Sequence, residues 1–370
     1  MACYPTSEAG IDPIRIDVKS ERGSYPVFIG GGAASRLAEL LGEQALARET
    51  LVVSCPPVWR LHGARLRGVA THPPTIIADG ERAKTLATVT RIYDALVRRR
   101  MDRAATLVAF GGGVVGDVAG FAAATYLRGI RLVQVPTTLL SQVDSAIGGK
   151  VGVNLAAGKN LVGAFHAPAM VVCDPDLLDS LPRREFRAGL YEVVKYGVIA
   201  SRTLFDRLAQ DLPAIFARDR AVLTPLIADC CRIKADVVSR DEREKGPRRA
   251  LNFGHTVGHA LEAITRYRRF RHGEAIAYGM LAAAHLSVAR GLLSTADEAR
   301  LKDLILRMGP LPLVTDLRAT DALEAVTHDK KVVDGRLHVV LASGLGSTTI
   351  VPDVRPRELG AAMRVVGMRR

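Results

Sequence analysis

The sequence contains few aromatic residues and few cysteines, and both shortages exclude classes of protein. Phe, Trp and Tyr together make up 5% of the 370 residues, with a single Trp, which leaves little for stacking nucleobases. The cysteines are odd in number and form no C-x-x-C pair, so they favour a reducing compartment over a disulfide framework: Cys3, Cys55, Cys173, Cys230 and Cys231. The first residues lack the basic and apolar regions of a signal peptide, and we therefore expect a cytoplasmic protein.

Positive charge exceeds negative charge without being concentrated anywhere. The 51 Lys and Arg residues and 38 Asp and Glu residues give a net charge of +13, with short basic runs only at residues 98–100 and 266–271. Such a diffuse field would attract a small phosphorylated acid, and we treat nucleic-acid binding as the lesser alternative. Residues 106–127 are long and apolar enough to resemble a membrane span, but Asp117 and five glycines argue against one.

The helix and strand patterns change character near residue 180. Before it, β-rich runs alternate with helical patterns, which is typical of a parallel, three-layer α/β unit. After it, helical patterns dominate: residues 185–199, 203–217, 221–240, 252–266, 274–290 and 295–308. The sequence therefore predicts an α/β domain over residues 1–180 and a mainly α-helical domain over residues 181–370, with a ligand site in the cleft between them.

A glycine-rich turn follows the buried strand predicted at residues 106–110. Gly111, Gly113 and Gly116 match the spacing of a dinucleotide-binding turn, and a helix is predicted directly after them. Glycines let the backbone approach a pyrophosphate, and the helix N-terminus supplies amide donors. The acidic residue expected about 20 positions further on is missing, because residues 136–138 read Pro-Thr-Thr there. The turn therefore departs from the ordinary Rossmann pattern, and a tight turn without a ligand is the alternative.

Residues 141–165 form a second dense patch of polar residues and glycines. They show little regular periodicity and contain Asp144, Lys150, Asn154, Lys159 and Asn160. Such a segment suits an anion and several hydroxyl groups, with lysine acting as a point charge for phosphate. A solvated loop is the alternative, although interleaved apolar residues indicate partial burial, where unpaired lysines would be unfavourable.

Three histidines in residues 251–280 suggest a metal site. His255 and His259 lie four residues apart in a helical pattern and therefore share one face, and His272 follows after a basic turn. Neutral imidazole suits zinc, nickel or iron, while hydrogen-bonded helix histidines are the alternative. Glu192 and Lys195 lie three apart on another predicted helix; a surface pair is one interpretation, and a buried carboxylate that meets His255 and His272 is the other. Arg248, one turn before Asn252, is suited to binding a carboxylate.

Eight segments together resemble the 3-dehydroquinate synthase family of the sugar phosphate cyclase superfamily. In chain order they read GGGVVGDVAGF, YLRGI, PTTLL, VDSAIGGK, GKNLVGAF, EVVKYG, LNFGHTVGHA and HGEAIAYGM, and the resemblance spans residues 30–331. It implies a Rossmann-like NAD-binding domain followed by a helical domain that binds metal and substrate, in a homodimer. The implied reaction, part of the shikimate pathway, converts 3-deoxy-D-arabino-heptulosonate 7-phosphate, a phosphorylated sugar acid, to 3-dehydroquinate and phosphate.

The resemblance also implies roles for residues that match the family's motifs. It implies that zinc, or alternatively cobalt, is held by Glu192, His255 and His272. The NAD contacts would be Glu81, Lys84, Gly112, Gly113, Asp117, Thr137, Thr138, Leu140, Ser180 and Leu181. The catalytic and substrate-contacting residues would be Asp144, Lys150, Lys195, Lys234, Arg248, Asn252 and His259, with His259 as the proton shuttle. The phosphate would meet Arg128 from the partner subunit, Lys159, Asn160, and either Lys330 or Lys331.

Three positions depart from the family pattern, and two related enzyme groups are the nearest alternatives. Cys55 stands where an Asp commonly holds the adenosine ribose, Tyr191 replaces a more usual Ala, and Ser180 replaces a common Thr. A sibling cyclase of the 2-epi-5-epi-valiolone synthase type would act on a substrate without a carboxylate, and retention of Lys234, Arg248 and Asn252 disfavours it. A metal-dependent polyol dehydrogenase would lack the G-K-N and L-N-F-G-H-T segments.

Overall fold

Backbone contacts divide the chain into two compact units. The computed structural model describes residues 12–21, 23–327, 332–333 and 336–370. The first unit extends to Leu181 and also includes Arg218–Glu242, and the second comprises Pro182–Ala217 and Arg243–Arg370. The first boundary between the units thus lies close to residue 180. The segment Arg218–Glu242, however, belongs to the α/β unit and not to the predicted helical domain. A helical pattern in a sequence does not show which core the helix packs against, which explains the difference.

The first unit contains a seven-stranded sheet and a separate hairpin. The first two strands of the sheet pair antiparallel, and all other pairs in it are parallel. In chain order the strands of this unit are β1 (Ile14–Ser20), β2 (Gly23–Ile29), β3 (Thr50–Ser54), β4 (Thr75–Ile76), β5 (Thr106–Gly111), β6 (Arg131–Pro136), β7 (Lys150–Leu155), β8 (Gly158–Phe165) and β9 (Met170–Cys173). The antiparallel hairpin consists of β7 and β8.

The order of the strands identifies where a ligand should bind. The sheet reads β1-β2-β9-β6-β5-β3-β4 in space. Six of its strands run parallel. Numbered along the chain, the five that follow β2, namely β3, β4, β5, β6 and β9, stand in the order 2-1-3-4-5, a doubly wound arrangement whose direction reverses between β3 and β5. Ligands of such sheets bind beyond the carboxyl ends of the strands at that point.

Helices cover both faces of this sheet. They are α1 (Leu37–Glu43), α2 (Pro56–His62), α3 (Leu86–Arg98), α4 (Gly113–Thr125) and α8 (Arg220–Arg240). On β3, Leu51 and Val53 join one buried apolar cluster and Val52 joins another, because successive side chains point to opposite faces. Burial on both faces explains why the central strands read as continuous apolar runs.

The second unit is mainly helical. Its helices are α5 (Arg183–Ala200), α6 (Arg202–Gln210), α7 (Leu212–Phe216), α9 (His255–Ile264), α10 (His272–Ala289), α11 (Thr295–Arg307), α12 (Ala319–Thr327) and α13 (Pro356–Val365). Its short strands are β10 (Val332–Val333), β11 (Arg336–Leu337), β12 (Val339–Gly344) and β13 (Ser347–Val351). Helix α10 packs against both α5 and α9, and these three helices carry the candidate metal ligands.

Three of the predicted elements differ from the structure, and helices α2, α12 and α13 were not predicted. Helix α4 begins at Gly113, so the glycine turn itself is the first helical turn. Residues 141–165, predicted to be irregular, form a π-helix at Ser141–Ser145 and the β7–β8 hairpin. Residues 203–217 form two helices, α6 and α7, separated at Asp211. Within the described residues, no helix is both long and apolar enough to cross a membrane.

Candidate active site

The glycine-rich turn lies at the switch point of the sheet. Gly112 is the N-cap of α4 and has no side chain to bond the first N–H groups of the helix, which leaves them available to an anion. A Cβ on Gly112 would lie 3.0 Å from Thr138 Cγ2, so a side chain at this position would press on Thr138. At the end of the adjacent β3, the buried Ser54 hydroxyl has no hydrogen-bond partner within the described residues. Both features fit a phosphate-containing cofactor.

A buried lysine connects several residues of the predicted cofactor set. Lys84 is 5% exposed, and its Nζ donates to Asp117 Oδ2 and to Asn160 Oδ1, both at 2.5 Å. Burial raises the pKa of Asp117, and the positive charge of Lys84 opposes this rise. Nearby, Glu81 lies 3.5 Å from Lys159 Nζ. Lys159 and Asn160, predicted to bind the phosphate, therefore contact residues predicted to bind NAD.

The segment after β6 contains Thr137, Thr138, Leu140 and Asp144. The Thr137 amide donates to Gly111 O at 3.0 Å, which ties this segment to the glycine turn. Leu140 precedes the π-helix Ser141–Ser145, a helix type that is frequent at functional sites. Asp144 in this π-helix forms an ion pair with Lys234 of α8. The two predicted substrate-binding residues thus meet within the first unit, because α8 belongs to it.

At the end of this unit, Ser180 has a partner that the sequence did not predict. Its Oγ lies 2.6 Å from Nε2 of His62, the last residue of α2. Leu181 is the last residue before the chain enters the second unit. At the position where the family commonly has an Asp, Cys55 is buried, and burial together with the nearby Asp79 carboxylate raises the pKa of its thiol to about 11.

In the second unit, a buried carboxylate meets two imidazoles. Glu192 Oε1 lies 3.6 Å from His272 Nε2 and 3.9 Å from His255 Nε2. Glu192 is fully buried, and its Oε1 accepts no hydrogen bond from the described residues. A buried carboxylate requires a positive partner. Lys195 supplies one at Oε2, where its Nζ lies 2.5 Å away, while Oε1 faces the two imidazoles and could bind a metal ion. The arrangement matches the predicted ligand set Glu192, His255 and His272.

Hydrogen bonds behind the histidines orient their rings. Nδ1 of His255 donates to Phe253 O at 3.1 Å, and Nδ1 of His272 donates to Glu262 Oε2 at 3.2 Å when each ring carries its proton there. In that tautomer the unprotonated nitrogen of each ring is Nε2, the atom that faces Glu192. Metal-bound histidines usually have such a partner on the other nitrogen, and this observation fits a metal better than it fits ordinary helix histidines.

His259 and Lys195 complete this group. Ligand nitrogens of His255, His259 and His272 all lie within 4.8 Å of one another, so a three-histidine set is geometrically available as well. Lys195 Nζ lies 2.5 Å from Glu192 Oε2, and both residues are almost completely buried. The surface-pair interpretation of Glu192 and Lys195 is therefore wrong.

The remaining predicted residues are placed as follows. The 3-10 helix Pro247–Asn252 of the second unit carries Arg248 and Asn252. Arg248 is 2% exposed, and Asn252 Nδ2 donates to Glu244 Oε1 at 2.6 Å. Lys150 begins β7, and Arg128 is exposed in a left-handed conformation with φ 67°. Lys330, like Lys331, lies outside the described residues.

Sequence reasoning missed Glu262 and His62. Glu262 lies one turn after His259 on the same helix, so its spacing was a usable signal. His62 approaches Ser180 across 118 positions of sequence, and no local pattern could indicate this contact.

Fold and site together define a class of two-unit protein. One unit is an α/β unit of the doubly wound type, and the other is a helical unit that brings a buried carboxylate and several histidines together. Two family models match it in succession, the 3-dehydroquinate synthase N-terminal model over residues 74–188 and the C-terminal model over residues 189–332. The chain belongs to the 3-dehydroquinate synthase family.

Curated relatives and solved structures agree with this assignment. The 3-dehydroquinate synthase of Pelotomaculum thermopropionicum is 47% identical and covers 90% of this chain and 92% of its own length. That of Gloeobacter violaceus is 48% identical, covering 90% and 94%. Among solved structures, the 2-epi-5-epi-valiolone synthase of Streptomyces hygroscopicus, with NAD+ and Zn2+ bound, is 29% identical with a TM-score of 0.83, covering 95% of this chain and 99% of that one. A probable glycerol dehydrogenase from Sinorhizobium meliloti, 16% identical with a TM-score of 0.63 over 91% and 95%, shares the fold alone.

Proposed function

We propose that this enzyme converts 3-deoxy-D-arabino-heptulosonate 7-phosphate to 3-dehydroquinate and phosphate with one resident NAD and one divalent metal ion. The observation that carries the proposal is the position of Glu192 Oε1 between the Nε2 atoms of His255 and His272, each with its Nδ1 bonded elsewhere. This geometry occurs in a chain that is 47% and 48% identical to two 3-dehydroquinate synthases over 90% of its length.

The residues present fit both groups. Bound NAD would supply a hydride acceptor that later returns the hydride, and the free N–H groups at Gly112–Gly113 and the Ser54 hydroxyl would hold its polar parts. Bound metal would supply a Lewis acid for substrate hydroxyl groups. For the metal, we favour Glu192, His255 and His272 over the three-histidine set because the Glu192 carboxylate is buried beside both imidazoles. This choice also keeps His259 outside the ligand set, where it would move protons.

The other side chains would bind and orient the substrate. Arg248 is buried and offers a planar fork of donors for the substrate carboxylate. Asn252 lies one turn further along the same 3-10 helix, with its amide held by Glu244. Lys195 would keep a positive charge beside the ligand carboxylate, and the Asp144–Lys234 ion pair would present a fixed acceptor and donor to hydroxyl groups.

The phosphate and the second subunit belong to the same part of the proposal. Lys159 and Arg128 would neutralise the leaving phosphate, Arg128 in the site of the partner subunit. The exposed apolar side chains Leu127, Leu161 and Phe165, the first beside Arg128 and the others on β8, support a homodimer through this region. The four described cysteines are buried thiols, which supports the cytoplasmic location.

A sibling cyclase activity is the second candidate, because two solved neighbours of this kind, a 2-epi-5-epi-valiolone synthase and a 2-deoxy-scyllo-inosose synthase, have TM-scores of 0.83 and 0.84. Their identities of 29% and 28% are far below those of the 3-dehydroquinate synthases. The buried Arg248 also favours a substrate with a carboxylate.

One assay tests the proposal. Purified protein, NAD and the heptulosonate phosphate should yield phosphate and a carbocyclic product in equal amounts, without net NADH. Chelator treatment should abolish turnover, and zinc should restore it. Stoichiometric NADH would indicate a dehydrogenase instead, and turnover of sedoheptulose 7-phosphate but not of the acid would indicate a sibling cyclase.

A further inference from the structure

Residues 179–181 lie where the chain leaves the first unit for the first time, and side chains from two distant parts of the sequence hold them. Residues 179–181 include Ser180 and Leu181, the proposed NAD contacts. His62 reaches them from the end of α2, and Arg218 reaches them from the point where the chain re-enters this unit before α8. Neither residue was part of the site proposed from the sequence.

Arg218 holds the main chain on both sides of Ser180. Its Nη1 donates to Asp179 O and its Nη2 donates to Leu181 O, so one planar guanidinium fixes two carbonyl groups that flank the same residue. Arg218 has φ 60°, an uncommon conformation for a residue with a side chain. The adjoining Arg220 donates to Asp176 Oδ1 at 2.6 Å and to the Asp179 carboxylate, which secures the start of the same segment.

His62 acts on the side chain of Ser180. The 2.6 Å contact between His62 Nε2 and Ser180 Oγ occurs at a buried imidazole, while Ser180 itself is exposed. Burial, with Arg65 nearby, lowers the pKa of His62, so the ring is neutral near pH 7 and its tautomer decides whether Ser180 presents its proton or a lone pair outward. The other bond of this hydroxyl, to Leu177 O, is long at 3.4 Å.

A serine needs such a partner more than a threonine does. The β-branch of threonine restricts χ1, whereas serine rotates more freely. Ser180 has only a long second bond, to Leu177 O, so the 2.6 Å contact with His62 is the shorter of the two contacts given for its hydroxyl.

We propose that His62 and Arg218 are positioning residues for the cofactor: they hold residues 179–181 in the conformation in which Ser180 and Leu181 contact NAD. This inference rests on the proposed function, since it requires that NAD binds beside these two residues. In this proposal His62 and Arg218 act through residues 179–181, which they contact directly.

The test measures the dissociation constant of NAD by calorimetry in the full-length protein, together with KM for NAD and kcat. His62→Phe should weaken NAD binding about fivefold, the effect of one lost hydrogen bond, with kcat at saturating NAD unchanged. His62→Gln, which keeps a donor near the position of Nε2, should bind NAD as the wild type does. Arg218→Met should weaken binding about tenfold or more, because two hydrogen bonds are lost. Arg232→Met, an exposed arginine on α8 that bonds Asp229, is the matched control and should change nothing.

A double-mutant cycle separates positioning from a general loss of structure. If His62 acts through the Ser180 hydroxyl, His62→Phe should have no further effect on NAD binding in a Ser180→Ala background. An equal loss in both backgrounds would overturn the inference, and so would NAD binding by His62→Phe and Arg218→Met within twofold of the wild type. If the wild type itself bound no NAD, the proposed function would fail; wild-type binding with unaffected variants would refute only the positioning role.

Discussion

The carboxylate behind His272 offers the sharpest test of the metal site. Glu262 is buried and accepts the Nδ1 proton of His272 at 3.2 Å, which keeps Nε2 directed at Glu192. Replacing Glu262 by Gln preserves the size and a carbonyl acceptor but removes the negative charge that makes the imidazole a better ligand. Loss of such a partner typically weakens metal binding about 10- to 100-fold.

The expected magnitudes follow from what each substitution leaves in place. Glu262→Gln retains an acceptor, so we expect zinc affinity to fall about tenfold, equivalent to about 1.4 kcal/mol. Glu262→Ala removes the acceptor and should approach a 100-fold loss. Competition for zinc with a chromophoric chelator measures both values without relying on catalysis.

The chain contains a matched control for this experiment. His285 on α10 and Glu298 on α11 form a similar pair at 3.1 Å, remote in sequence from the proposed ligands. Glu298→Gln should therefore leave zinc affinity unchanged. Zinc binding by Glu262→Gln within twofold of the wild type, or an equal loss in Glu298→Gln, would refute the reasoning that Glu262 orients a metal ligand.

Three further predictions concern stability and assembly. Tyr191→Phe should raise the free energy of unfolding in urea by about 1 kcal/mol, because the buried Tyr191 hydroxyl has no hydrogen-bond partner within the described residues; a loss of stability would show that the hydroxyl is bonded after all. Burial alone would raise the pKa of Glu274. Hydrogen bonds from Arg184, the Arg271 backbone and Arg187 outweigh the effect of burial, so the pKa of Glu274 is lowered. The Glu274 carboxylate therefore stabilises the fold above the pKa that it has in the unfolded chain, and this contribution is lost as pH falls through its pKa in the folded protein. Urea titrations should show that the free energy of unfolding falls more steeply below about pH 4.5 in the wild type than in Glu274→Gln. Parallel pH dependences of the two proteins would contradict this. Coexpressed Arg128→Ala and His259→Ala subunits should show about a quarter of wild-type activity if Arg128 serves the partner's site. About half of the dimers are then mixed, and each mixed dimer has one complete active site out of two. An inactive mixture would place Arg128 in its own subunit's site.

Local patterns were sufficient to predict the two kinds of unit and the candidate ligands. A continuous apolar strand such as β5, followed by a glycine turn, predicts a parallel sheet that is buried on both faces. The spacing of His255 and His259 places both on one helix face. These features depend on residues close together in sequence, which is why they could be read from it.

Features that depend on long-range packing could not be read in this way. Helix α8 has an ordinary helical pattern, yet its place in the first unit is what brings Lys234 to Asp144. The β7–β8 hairpin was hidden because β8 has few buried residues and therefore little apolar alternation. The contact between His62 and Ser180 joins residues 118 positions apart.

Two glycines on α10, Gly273 and Gly279, allow the helices that carry the proposed metal ligands to pack closely together. A Cβ on Gly273, next to His272, would lie 1.9 Å from Ala188 O on α5, and one on Gly279 would lie 1.8 Å from Gly254 O. Glycine at both positions lets α10 pack directly against the backbones of the two elements that carry Glu192 and His255. In the sequence these glycines look like helix-weakening residues. The structure explains them: without a Cβ at these positions, α10 can approach α5 and α9 closely enough for Glu192 to come within 4 Å of two imidazoles.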